Sequence, residues 1–174
     1  MGRTRIINDP TYLVPLLQCF GSKKDKKVFD LLFDKWMTIN EIDSFLKESS
    51  INSINHLKKA GLLESQWRVP NPGEKPLKEY RISYSNIQVN FHCSFEDLSD
   101  IILLSLKSDD EIQLELKNLE SLVCSGITSI SKLTRELNLK PLYIFALSRR
   151  SEILSVMGQR LKIVEHNEEK EYES

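Results

Sequence analysis

The chain has 174 residues, 40% hydrophobic and 28% charged, with a formal net charge of −1. That suffices for one extended domain or two small ones with a real core. No apolar run reaches the roughly 18 residues of a membrane helix, and Met1-Gly2-Arg3-Thr4-Arg5 leads into no secretory segment, so a cytoplasmic protein is expected. Cys19, Cys93 and Cys124 are widely spaced, which fits buried thiols in a reducing compartment better than a disulfide framework. Residues 1–94 hold 14 Lys+Arg against 10 Asp+Glu and residues 95–174 hold 10 against 15, so a +4 half precedes a −5 half. This asymmetry suits a nucleic-acid-binding head on a non-binding body.

Residues 1–10 read as a flexible basic arm, with Arg3 and Arg5 available to a phosphate backbone. Tyr12 to Cys19 is apolar and reads as a short helix, with Pro15 near its first turn. Ser22 can cap a helix from about Lys23 to Trp36, where Val28, Leu31, Leu32 and Trp36 keep helical spacing. Thr38-Ile39-Asn40-Glu41 is a capping box. It opens a helix to about Lys47 with Ile39, Ile42, Phe45 and Leu46 inward.

A turn at Glu48-Ser49 leads into a second helix, capped by Ser49 or Ser50 and ended by Gly61, which is free to take positive φ. Two short helices joined by a tight turn form a helix-turn-helix. Ile51, Ile54 and Leu57 recur every third position and predict the inward stripe. Asn52, Asn55, His56 and Lys59 fall near the opposite side, and no acid lies between Ser49 and Leu63. An Asn amide can pair with adenine in the major groove, and Lys suits phosphate. Asn52, Asn55 and His56 are therefore the candidate base readers. Ser50, Ser53, Lys58 and Lys59 are candidate backbone contacts. A merely solvated polar face is the bland alternative.

A hairpin follows. Trp67 and Val69 alternate with Gln66 and Arg68, Pro70 to Pro76 is a turn-rich tip, and Tyr80, Ile82 and Tyr84 alternate with Glu79, Arg81 and Ser83. This is a wing able to lie over a neighbouring groove. Arg68, Lys75, Lys78 and Arg81 are its candidate backbone contacts, and Glu74 and Glu79 weaken the patch. Ile87, Val89 and Phe91 alternate again and extend the small sheet.

Beyond Ser94 the period is helical, with Phe95, Leu98, Ile101, Ile102 and Leu104 on one broad face. In Asp109 to Cys124, the residues Ile112, Leu116, Leu119 and Val123 have the 4-3-4 spacing of a coiled-coil seam and are the candidate dimerisation residues. The alternative is that these leucines only cover the protein's own core. Ser129 to Arg150 reads as a second helix-turn-helix, turning at Asn138-Leu139-Lys140 and restarting at Pro141. Its outer face carries Leu142 and Phe145, which suits packing against the body or a partner better than base reading. Arg160 to Val164 is a candidate short strand. The expected organisation is thus arm 1–10, winged helix-turn-helix 11–92, helical dimerisation segment 93–125, C-terminal helix-turn-helix 126–166 and disordered acidic tail 167–174. The fold class is mainly α with a small β-hairpin wing (α+β).

Leu57-Lys58-Lys59-Ala60-Gly61-Leu62-Leu63 before a hairpin resembles the L-x-x-A-G-L of ArsR-type winged-helix regulators. The longer set is Asp9-Pro10-Thr11-Tyr12-Leu13-Val14-Pro15-Leu16-Leu17, Glu64-Ser65-Gln66-Trp67-Arg68, Pro72-Gly73-Glu74-Lys75-Pro76, Phe95-Glu96-Asp97-Leu98 and a terminal helix-turn-helix with Arg149-Arg150. Together these are similar to an archaeal ArsR-like group that includes a promoter-binding activator of motility genes. The resemblance covers nearly the whole chain and implies a dimeric transcription regulator on double-stranded promoter DNA. It does not carry metal sensing, because Ser49 to Leu63 lacks the Cys-x-Cys of the metal-responsive members and His92-Cys93 supplies too few ligands.

Two function classes stay open from the residues. One is a DNA-reading homodimer without cofactor or metal. The other is a winged-helix protein-interaction module, favoured by the near-neutral charge, the acidic tail and the Leu142/Phe145 face. An enzyme is not expected: no GxGxxG, P-loop, H-E-x-x-H or GxSxG pattern occurs.

Overall fold

Four helices open on a Ser or Thr oxygen that accepts a first-turn N–H otherwise left without a partner. Ser22 accepts from Asp25, Thr38 from Glu41, Ser94 from Asp97 and Ser108 from Glu111. The computed structural model of the chain describes residues 2–69, 73 and 75–164. The expected acidic tail 167–174 and most of the wing tip, 70–72 and 74, lie outside the described residues. The chain divides into two units, Met1–His92 and Cys93–Ser174.

The first unit begins with a strand, β1 (Thr4–Ile7), where a flexible arm was expected. It pairs in parallel with β5 (Asn86–Val89), from Thr4 opposite Asn86 to Ile7 opposite Val89. The cause is a β-branched run, Ile6-Ile7, meeting a second, Ile87 and Val89. Thus Ile87 and Val89 do not extend the wing sheet; they form a separate ribbon. Arg5 is used internally, with its guanidinium near the Tyr12 and Tyr84 rings at 5.8 and 5.9 Å.

Helix α1 (Leu13–Gln18) follows a 3-10 turn at Pro10–Tyr12 capped by Asp9. Cys19 is fully buried behind it and its thiol donates to the Pro15 carbonyl at 3.2 Å. Burial, with the nearby Asp25 charge, pushes that thiol up to about 12. Cys93 is half-buried and Cys124 exposed, so the buried-thiol expectation holds for Cys19 alone.

Helix α2 (Lys23–Asp34) stops short of Trp36. Lys35 turns extended, and Met37–Thr38 becomes strand β2 at the edge of the wing sheet. Thr38 then opens α3 (Ile39–Leu46) through the capping box: its hydroxyl accepts from the Glu41 N–H, and its own N–H donates to Glu41 Oε2 at 2.8 Å. Lys47 ends α3 in the left-handed region, φ 62°. Helix α4 is Ile51–Lys59, and Gly61 leaves it at φ 65°. Strands β3 (Leu63–Arg68) and β4 (Leu77–Ile82) form the wing, and the sheet order is β2-β4-β3, all antiparallel. Leu32, Ile42, Ile54, Leu57, Tyr80 and Ile82 meet in one core.

The second unit packs α5 (Phe95–Leu106), α6 (Asp109–Cys124), α7 (Ile130–Leu137) and α8 (Pro141–Ser148) with a hairpin, β6 (Leu154–Met157) and β7 (Arg160–Ile163). Its order repeats that of the first unit. A long helix (α2, α6) leads to a bridging residue on the hairpin (Thr38 on β4, Ser129 opposite Arg160). A short helix follows (α3, α7), then a left-handed residue (Lys47, or Asn138 at φ 52°), a second short helix and a hairpin. Both units therefore share one order of elements, helix-turn-helix followed by a hairpin. The expected strand near Arg160 is half of this second hairpin; its partner β6 is only four residues long.

Ile112, Leu119 and Val123 are buried inside this second unit and Leu116 is half-buried, because α6 lies against α7, α8 and β7. They are not available as a dimer seam. A 4-3-4 stripe looks the same whether it faces a second copy or its own chain, and here its own chain covers it.

Candidate nucleic-acid interface

The turn between α3 and α4 is held by a carboxylate. Asp43 Oδ1 accepts both the Ser50 N–H, at 2.7 Å, and the Ser50 hydroxyl, at 2.6 Å. Ser50 is consequently buried, forms no side-chain cap on α4 and is not placed to touch a phosphate. Ser53 is buried as well, which removes it from the expected backbone contacts. The inward side of α4 is Ser53, Ile54 and Leu57, while Ile51 is 51% exposed. Ile51 and Leu57 are six positions apart, so at about 100° per residue they stand about 120° apart on the helix. Phe45, expected inward on α3, is 67% exposed beside this turn.

The remaining α4 candidates occupy the open side. Asn52 and Lys58 are exposed, and Asn55 and Lys59 are half-buried. Lys58 Nζ sits 5.0 Å over the Tyr80 ring, which ties the end of α4 to the wing. His56 points differently: its Nδ1 is buried 3.7 Å from Asp25 Oδ1 of α2. That nitrogen faces α2, while the His56 side chain as a whole is 30% exposed.

The wing arginines are committed to acids of the same unit. Arg68 forks onto Glu41, with Nη1 to Oε1 at 2.6 Å and Nη2 to Oε2 at 3.0 Å, and its Nε donates to Glu79 at 2.7 Å. Gln66 completes the set by donating to Glu79 at 2.7 Å. The Arg68 hydrogen bonds, with the Thr38 N–H second, hold the Glu41 carboxyl down at about 2. Gln66 and then Arg68 hold Glu79 below the usual carboxylate range, and the two acids push Arg68 upward. Arg81 donates twice to Glu64 Oε1, at 3.0 and 2.8 Å, and stacks 4.9 Å from the Trp36 ring. Arg68 and Arg81 are thus held by acids of their own unit, with 39% and 42% of their side chains still exposed. Lys78 lies 5.9 Å over the Trp67 ring, and Lys75 is exposed at the edge of the tip. Asp43 and Glu41 were not legible as site residues, because their partners lie seven and 27 positions away.

In the second helix-turn-helix, Ile144, Ala146, Leu147 and Ser148 of α8 are buried, Leu142, Tyr143 and Phe145 are half-buried, and α5 lies along the helix. Lys140 at the start of α8 donates to Glu96 at 2.6 Å and Asp100 at 3.1 Å of α5. Buried Arg150 donates to the Leu104 and Lys107 carbonyls at 2.8 and 3.0 Å and to Asp109 at 2.7 Å. Both ends of α8 are therefore tied to the body of the second unit.

Among the described residues, no three His, Cys, Asp or Glu side chains cluster to hold a metal, and no helix is long and apolar enough to cross a membrane. A winged helix with a polar, acid-free reading helix defines a DNA-binding regulator. The ArsR transcriptional regulator family matches residues 7–165, and the chain belongs to that family. It is a transcription regulator that binds DNA, and its family is not one of enzymes. No curated protein matches it significantly.

Proposed function

We propose that this regulator reads promoter DNA as a homodimer in the cytoplasm, with α4 of each copy in a major groove and the wing beside it. The observation that carries this is the open side of α4, where Asn52 and Lys58 stand exposed and Asn55 half-buried on a helix whose start is fixed by Asp43. Asn52 and Asn55 read base edges; Lys58, Lys59, Lys75 and Lys78 meet the backbone. In a two-fold dimer, half-sites lie about one helical turn apart. The similarity to the archaeal ArsR-like group supports the narrower reading of an archaeal activator of motility (archaellum) genes, the archaellum regulator or a close relative.

The second copy docks on α5. Phe95, Ser99, Ile102 and Leu106 are all exposed, Phe95 by 91%, and they repeat the 4-3-4 spacing on a surface open in this chain. The stripe is self-complementary: two antiparallel copies put Phe95 opposite Leu106 and the small Ser99 opposite Ile102.

Fluorescence anisotropy with the chain's own upstream DNA and a scrambled duplex, at two salt concentrations, tests the reading. Preference for the upstream duplex with a steep salt dependence is expected. Absence of binding to either duplex at low salt transfers the function to a protein-interaction module.

A further inference from the structure

The two faces of the wing differ in charge. By the strand register, Leu63, Ser65 and Trp67 share one face with Ile82, Tyr80 and Lys78, and Glu64, Gln66 and Arg68 share the other with Arg81, Glu79 and Leu77. Both strand acids therefore lie on the second face, where Arg68 and Arg81 neutralise them. The first face carries no acid within β3 and β4, and Lys58 of α4 reaches it over Tyr80. Toward the core this face is buried at Tyr80 and Ile82, but one cross-strand pair further out Trp67 is 65% exposed beside Lys78. An exposed indole beside Lys78, on the strand face that carries no acid within β3 and β4, fits the wall of a nucleic-acid groove.

We infer that Trp67 is a specificity-determining residue of this regulator, packing its indole on the sugar wall of the minor groove that flanks the α4 site, with Lys58 and Lys78 beside the adjoining phosphates. This rests on the promoter-reading function proposed above and adds its second point of readout, one of groove shape. The wing then meets DNA with its aromatic face, and its Arg–Glu face points away.

The test uses the full chain, with Trp67→Ala and Trp67→Phe variants matched to the unsubstituted protein by thermal melt. Each is titrated with duplexes that share the central site and differ in A·T-rich or G·C-rich flanks. Trp67→Ala is expected to lose about tenfold in affinity on the preferred flank, together with the flank preference, and Trp67→Phe to keep most of both. In a Trp36→Phe background Trp67 is the sole tryptophan, and duplex binding should shield its emission from acrylamide. Unchanged affinity and flank preference in Trp67→Ala, or an indole that stays open to acrylamide on the duplex, overturns the inference and leaves promoter reading standing. Failure of the unsubstituted protein to bind any duplex overturns both.

Discussion

Arg68 and Glu41 form a two-pronged ion pair, at 2.6 and 3.0 Å, that joins the wing to the first residues of the helix-turn-helix. Glu41 is at once the capping-box acid of α3 and the partner of a wing strand, so one carboxylate fixes the wing relative to the helices. Arg68→Ala is expected to lower the melting temperature and leave the salt slope of DNA binding unchanged, because the guanidinium is spent on acids. A reduced slope in that variant would return Arg68 to the phosphate contacts.

The same pair sets a pH window. The Glu41 carboxyl falls from the ordinary 4.5 to about 2 in the folded chain. A depressed carboxyl contributes stability that is complete above its unfolded value and is lost as pH falls toward the folded one. Stability contributed by Glu41 should therefore be full above about pH 4.5 and drain away toward pH 2. Chemical denaturation across that range should show a shallower acid slope for Glu41→Gln.

Asp43 holds α4 in place through two short bonds to Ser50. Hydrogen bonds to a charged acceptor contribute about 1.5–3 kcal/mol each, so Asp43→Ala should cost roughly 2 kcal/mol or more. DNA affinity should fall with it, because the start of α4 loses its anchor. Urea denaturation and anisotropy measure the two losses; an intact affinity at reduced stability would show that the turn does not position the reading helix.

Thiol accessibility separates the cysteines. Cys124 should react quickly with a disulfide reagent and Cys93 more slowly, while Cys19, buried and pushed up to about 12, reacts only on unfolding. Rapid modification of all three in the native protein would mean that the packing of α1 is wrong.

The exposed stripe of α5 should govern assembly. Leu106→Asp or Ile102→Asp is expected to weaken self-association by about tenfold or more, read by sedimentation. Leu119→Asp should unfold the second unit instead, since Leu119 is fully buried there. A dimer unaffected by both α5 substitutions would place the second copy elsewhere.

Features set by near neighbours were legible in the sequence. Ser22, the Thr38–Glu41 box, Gly61 and the alternation of Tyr80 and Ile82 each announce their element within a few residues. What escaped depends on partners distant in the chain. Residues 4–7 find β5 only in the folded unit, and Met37–Thr38 is a strand only because β4 lies beside it. Burial of Ser50 follows from Asp43, and the commitment of Arg68 and Arg81 follows from acids on neighbouring strands and helices. Spacing also cannot say which copy covers a stripe: the apolar seam of α6 is internal, and the exposed one lies on α5.

The most direct test of the account is an anisotropy titration of Asn52→Ala and Asn55→Ala against the cognate duplex and a scrambled one, with Ser53→Ala as a buried control. The account predicts a loss of roughly 1–3 kcal/mol on the cognate site for each Asn variant and little change on the scrambled duplex. Ser53→Ala should bind like the unsubstituted chain, because Ser53 faces the core. Cognate affinity unchanged in both Asn variants would contradict α4 as the reading helix.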